Sequence, residues 1–217
     1  MTSTRLFLTV HGIGVPEVSG PDLEPEMWIS VELFQSLLGL LTPEVALTFD
    51  DGFASCWDLA YPAMRATGIV GKFFVTTDKL GGPGFLTCDQ VKELSLAGMT
   101  IGTHGMRHRP WRKLDEIALQ EEVFDAKERL ETLLGKPVTE AACPFGAYDR
   151  RTLRELKRSG IRNVYTSDRA LASPSTWVIP RYTIRRSDTP AYIEEILAGK
   201  HDVSMMGRAK MLFKRCR

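Results

Sequence analysis

Four cysteines stand in 217 residues, and no two of them form a CxxC pair. That spacing excludes a zinc knuckle and a thioredoxin-type redox motif. Cys56, Cys88, Cys143 and Cys216 read instead as buried or free thiols of a reducing compartment. No apolar run approaches the about 18 residues a membrane span needs. The N-terminal run Leu6–Val10 is also too short for a signal-peptide core and runs straight into His11. The expectation is a soluble, cytoplasmic chain without a targeting segment. Charge of one sign is lacking too: Lys plus Arg is 28, Asp plus Glu is 27, and the net charge is +1. Such a balance gives no global field for nucleic acid, and none is expected as a partner. There is no internal repeat and no low-complexity segment. Hydrophobic residues at 43% and charged residues at 25% are ordinary globular values.

What is present is alternation. Short apolar, β-rich runs take turns with longer amphipathic segments, the pattern of an α/β fold with mainly parallel strands. The runs Arg5–Val10, Val45–Phe49, Gly71–Val75, Met99–Gly102, Thr139–Ala142, Asn163–Thr166 and Trp177–Thr183 read as strands. The segments Val31–Leu40, Ala54–Thr67, Asp89–Ala97, Glu116–Leu134, Arg150–Ser159 and Pro190–Ala198 read as helices. Thr87 with Gln90 makes a capping-box pattern. Asp115 caps the long helix, and Gly135 with Pro137 stops it. In that helix Leu119, Val123, Ala126, Leu130 and Leu133 recur at helical spacing, so one face is core. Gly12–Pro25 and Lys79–Leu86 read as long loops. We expect one domain over residues 1–206. The tail, residues 207–217, carries five basic residues and no acid. It reads as a solvated end, or as a contact for an anionic membrane surface.

Three segments can carry chemistry. Thr48-Phe49-Asp50-Asp51-Gly52 leaves a buried strand, and α/β folds place their sites at such C-terminal strand ends. Alone, the DDG tripeptide is a turn. Adjacent carboxylates suit divided roles, one ligating a metal and the other acting as a base. His104-Gly105-Met106-Arg107-His108 also leaves a strand; it is either a pair of loop histidines or, with one carboxylate, an N, N, O metal site. Pro144-Phe145-Gly146 by itself is a turn. Arg181, inside an apolar strand-like run, either faces solvent or needs a buried partner.

Taken together and in this order, TFDDG, HGMRH and PFG resemble the polysaccharide deacetylase family, the nodulation-type sugar N-deacetylases. The resemblance covers roughly Val31 to Thr183. It implies a distorted (β/α) barrel with about seven mainly parallel strands and one divalent metal ion, most commonly zinc. By position, Asp51, His104 and His108 would be the ligands and Asp50 the base. The backbone N–H of Phe145 would help hold the oxyanion.

The chain departs from the common family pattern twice. Ala142 stands where an Arg is usual, and Pro180-Arg181 resembles a later Pro-Arg strand that tethers the catalytic Asp in some branches. No terminal strand carries a catalytic-acid His. The first strand ends in His11, which is similar to circularly permuted branches, so His11 is the expected general acid, acting in its protonated form. Its alternative is an ordinary strand-end histidine. The implied activity is metal-dependent removal of N-acetyl groups from N-acetylglucosamine-type units of a polysaccharide or oligosaccharide. The alternatives are a deformylase or deacetylase of a lipid-linked amino sugar, with membrane contact through the basic tail, and a carbohydrate-binding relic without turnover.

Overall fold

A computed structural model describes residues 6–16, 20, 24–173, 175–201 and 205–216. Arg5 of the expected first strand, and residues 17–19 and 21–23 of the expected loop, lie outside the described residues. In chain order the elements begin with β1 (Leu6–Val10), β2 (Gly12–Ile13), β3 (Trp28–Ile29), α1 (Val31–Leu40) and β4 (Val45–Phe49). They continue with α2 (Tyr61–Thr67), β5 (Lys72–Val75), α3 (Cys88–Leu96), β6 (Thr100–Thr103), α4 (Glu116–Gln120) and α5 (Ala126–Leu134). The last are β7 (Glu140–Ala142), α6 (Arg150–Arg158), β8 (Asn163–Thr166), β9 (Val178–Pro180), β10 (Tyr182–Thr183), α7 (Pro190–Leu197) and α8 (Met205–Cys216).

Eight strands form one sheet in the order β10-β1-β4-β5-β6-β7-β8-β9. Every neighbouring pair in it is parallel. The sheet is a nearly closed barrel with helices outside, as expected. The count is eight rather than about seven because the run Trp177–Thr183 divides at Arg181. Its first half pairs with β8 and its second half with β1. One stretch of chain thus bridges the two edges of the sheet. β1 lies between β4 and β10, in register from Leu6↔Val45 to Val10↔Phe49 on one side and with Thr9↔Thr183 on the other. The first strand therefore fills the gap left by a missing terminal strand.

Side chains on a strand alternate faces, and both faces are covered here. Leu6, Leu8 and Val10 of β1 join the core beneath the helices. Phe7 instead packs with Phe74, Ala142, Tyr165 and Ile179. The barrel interior is therefore filled by side chains, as small barrels require. Gly102 makes room for this filling, since a Cβ there would lie 2.6 Å from the Phe74 ring. Lys72, two residues before Phe74, pairs with Glu140 at 2.9 Å.

The helix ends follow the sequence signals. Thr87 and Gln90 form the full capping box, Asp115 accepts from the Ala118 amide at 2.8 Å, and Gly135 ends α5 with φ 64°. Two expected helices are each interrupted by a π-helical turn, Cys56–Ala60 before α2 and Glu121–Asp125 between α4 and α5. The expected loop after His11 contributes β2, which pairs in parallel with β3 as a separate two-stranded sheet. The basic tail, read as a solvated end, is instead a helix fastened to the barrel. Lys214 Nζ lies 2.6 Å from Asp168, and Arg215 donates to the Val178 carbonyl at 3.3 Å. Among the described residues no helix is long and apolar enough to cross a membrane. The four cysteines form no disulfide.

Candidate metal and catalytic site

At the end of β4 the chain turns sharply. Asp51 and Gly52 both adopt left-handed backbone, with φ 71° and 82°, and the Gly52 amide donates to the Asp50 carbonyl at 2.9 Å. The turn sends two adjacent carboxylates to different partners. Asp50 points into the barrel, where Arg181 Nη1 and Nη2 each donate to one of its oxygens at 2.7 Å. Arg181 is wholly buried. It also donates to the Thr48 hydroxyl at 3.1 Å and sits over the rings of Phe74 and Tyr165. The buried alternative for Arg181 therefore holds, with Asp50 as its partner. Burial alone would raise the Asp50 pKa. The charge of Arg181 and its two hydrogen bonds overcome burial and hold it well below the usual carboxylate range.

Asp51 turns toward the histidines. His104 leaves β6 with its Nδ1 2.8 Å from the Ala142 carbonyl oxygen. That contact calls for the proton on Nδ1 and leaves Nε2 with a lone pair. His108, with φ 60°, curls back so that the two imidazole centroids are 4.9 Å apart. Asp51 Oδ1 lies 3.5 Å from His104 Nε2 and 3.2 Å from His108 Nε2. Donors about 2.1 Å from a tetrahedral ion stand about 3.4 Å from one another, so this set fits a divalent metal. Burial lowers the pKa of His104 and takes that of His108 down to about 2, which keeps both imidazoles neutral. Neutral imidazole is the ligating form. All three residues are buried, and their donor atoms lie within 4.8 Å of one another.

A cavity of about 260 Å³ joins these parts. His11, Asp50, Asp51, His104, His108 and Phe145 all line it. His11 stands at the end of β1, beside Asp50, whose amide bonds the Val10 carbonyl at 3.1 Å. The expectation of a protonated His11 needs correction for the site at rest. Burial lowers its pKa to about 4 despite the opposing charge of Asp50, so the imidazole is neutral at pH 7. Phe145 has φ 57°, is half exposed, and sets its ring 4.5 Å from the His108 ring. The neighbouring Gly146 amide is engaged by the Cys143 carbonyl at 2.9 Å, whereas no backbone bond takes up the Phe145 amide among the described residues.

Residues 41–164 match the family described as polysaccharide deacetylase. The chain belongs to that family. A curated relative, YxkH of Bacillus subtilis (strain 168), is 27% identical over 143 residues, which are 66% of this chain and 51% of that protein. The chain thus spans about half the length of the curated relative it matches. In fold it resembles the Streptococcus pyogenes deacetylase PplD, solved with acetate, at a TM-score of 0.77 and 22% identity, covering 90% of this chain and 99% of that one. A de-N-acetylase from Aggregatibacter actinomycetemcomitans superposes with a TM-score of 0.74 at 17% identity, covering 89% of this chain and 99% of that one.

Sequence reasoning does not single out every wall of this polysaccharide deacetylase cavity. Trp28, Ser167, Thr183 and Arg185 also line it. Thr183 and Arg185 follow Arg181 at a period of two, and Ser167 directly follows β8, so position at strand ends is the signal that finds them. Glu122 is the other omission. It is a fully buried acid, three residues from Leu119 on the apolar stripe of the long helical segment.

Proposed function

We propose that this chain is a metal-dependent carbohydrate deacetylase that removes N-acetyl groups from N-acetylglucosamine-type units of a polysaccharide or oligosaccharide. One observation carries the reading: Asp51, His104 and His108 converge on a cavity that also presents Asp50 and His11. The name of the de-N-acetylase neighbour supports the amide as the bond attacked. Residues 1–206 would form the catalytic domain.

Asp51, His104 and His108 would hold the ion, which supplies Lewis-acid activation of water and of the acetyl carbonyl. Asp50 is the acceptor for the attacking water's proton. Arg181 occupies one lone-pair site on each Asp50 oxygen and leaves the others available. The pair keeps the carboxylate ionised at every working pH and aims it from inside the barrel. The Phe145 amide donates to the oxygen that becomes negative as the carbonyl carbon turns tetrahedral. His11 delivers a proton to the leaving amine. It first takes up the proton that Asp50 accepted from the water, and the restored Asp50 charge favours the protonated form. A relic without turnover has no need of these groups together, and the buried Arg181–Asp50 pair argues for turnover.

The test is acetate release from N-acetylglucosamine oligomers, with and without added zinc. Zinc-dependent release is expected. A metal-loaded protein that frees no acetate from any oligomer would overturn the reading.

A second reading, a lipid-linked amino sugar as substrate, is favoured by α8. That basic helix leaves Leu212 and Phe213 more than half exposed and is anchored at Asp168, next to the cavity residue Ser167. Release from a lipid-linked acetylated or formylated sugar but not from oligomers would select it.

A further inference from the structure

The loop between the two histidines needs an explanation of its own. Gly105 has φ 87° and His108 has φ 60°, so two of its residues are in the left-handed region. At His108, which is not a glycine, such a shape persists only where the surroundings over-determine it. The carbonyls of Gly105 and Met106 accept from the amides of Thr77 and Asp78, each at 3.0 Å. The amides on the other side point at one side chain. Met106 N–H donates to Glu122 Oε2 at 3.1 Å, and Arg107 N–H donates to Glu122 Oε1 at 3.0 Å.

We propose that Glu122 is a positioning residue that holds the His104–His108 loop in its ligating shape. The inference rests on the metal-site reading above. Glu122 lies on the π-helical turn Glu121–Asp125, and such turns recur at functional sites. The wider turn brings both Glu122 and Val123 inward, and both are fully buried. The neighbouring Glu121 grips the same loop from outside, pairing with Arg107 Nη1 at 2.6 Å. Gly105 is matched to this arrangement. A Cβ at that position would lie 2.4 Å from Glu122 Oε2. Burying an acid among apolar residues is costly unless its oxygens are hydrogen-bonded. Burial does push the Glu122 pKa up, while the loop amides oppose that rise. A hydrophobic residue would pack here with less penalty but could not accept two amides.

The experiment titrates the metal-free full chain with Co²⁺ against a competing chelator and records the visible Co²⁺ absorption. Glu122→Gln keeps the size and replaces one acceptor with an NH₂ group facing an amide. Its Co²⁺ affinity should fall roughly 10–100-fold, the range for outer-shell changes around metal sites, and the absorption bands should shift. Glu122→Asp keeps two acceptors on a shorter stem and should show a smaller fall. Val123→Ala loosens the same turn but removes no loop bond, and should leave affinity and spectrum unchanged. Wild-type affinity and spectrum in Glu122→Gln would overturn the inference, as would equal losses in Val123→Ala. If Glu122→Gln does not fold, unchanged binding by Glu122→Asp overturns it. A wild-type chain that binds no Co²⁺ overturns the metal-site reading, and this inference with it.

Discussion

Arg181 and Asp50, 131 residues apart in the chain, meet as a two-pronged ion pair in which both 2.7 Å bonds are sealed from water. The pair exists because the run that closes the barrel divides at Arg181 and carries it across from β8 to the strands beside β4. Two buried charges are costly to desolvate, and this geometry offsets the cost only with both partners present.

Arg181→Met should leave a buried unpaired carboxylate and destabilise the chain by about 3–5 kcal/mol, the range for breaking such a pair. Arg181→Lys should not restore it, because an ammonium cannot make the planar fork. Denaturant titration of both variants checks this; full stability in Arg181→Met would refute it.

Asp50→Asn should abolish acetate release while leaving metal content nearly intact. Asp51→Asn should lose metal affinity by more than the roughly 10–100-fold typical of outer-shell changes. Elemental analysis beside turnover separates the two. Near-normal turnover in Asp50→Asn would remove it from the role of base.

His11→Ala should lower turnover roughly 10²–10⁴-fold, the span for a lost general acid, with bound metal unchanged. Unimpaired acetate release would end its assignment.

Acid should weaken the metal-free chain in two windows, the upper one shared by His11, His104 and His108, whose pKa values are all lowered by burial. The folded-state pKa of His11 is lowered from 6.5 to about 4. The unfolded chain therefore binds the proton first, and stability falls as pH drops from about 6.5 to about 4. This one group accounts for up to about 3 kcal/mol. Asp50 also has a lowered pKa, so its contribution is present above about 3.8 and is lost only below it. Thermal denaturation at stepped pH should show a shallower upper window in His11→Ala. An unchanged upper slope would contradict the burial argument.

Replacing Leu212 and Phe213 by Ser should reduce sedimentation with anionic phospholipid vesicles and leave acetate release from soluble oligomers alone. Vesicle binding equal to wild type would count against a membrane role for α8.

Asp50, Asp51, His104 and His108 were legible from the sequence because their signals are local. A short apolar, β-rich run marks a strand, a Gly-bearing turn marks its end, and α/β folds place candidate sites at such ends. α1, β4 and β8 have the expected bounds for the same reason. The split of the last run, the π-helical turns and the docked tail leave no comparable local mark. Each depends on what packs against the segment: Pro180 and Arg181 read as continuous strand until the sheet edges meet across them.

By itself the sequence determined the alternation that makes the barrel and the motifs at its strand ends. Only the tertiary structure decided how those ends converge. β1 takes its place because its register matches β4 and β10 at once. Glu122 faces the histidine loop because a π-helical turn moves it inward. His11 is neutral because the barrel end where it sits shields much of its ring from water. Hydrophobic periodicity acts over a few residues, whereas these three outcomes depend on contacts between distant segments.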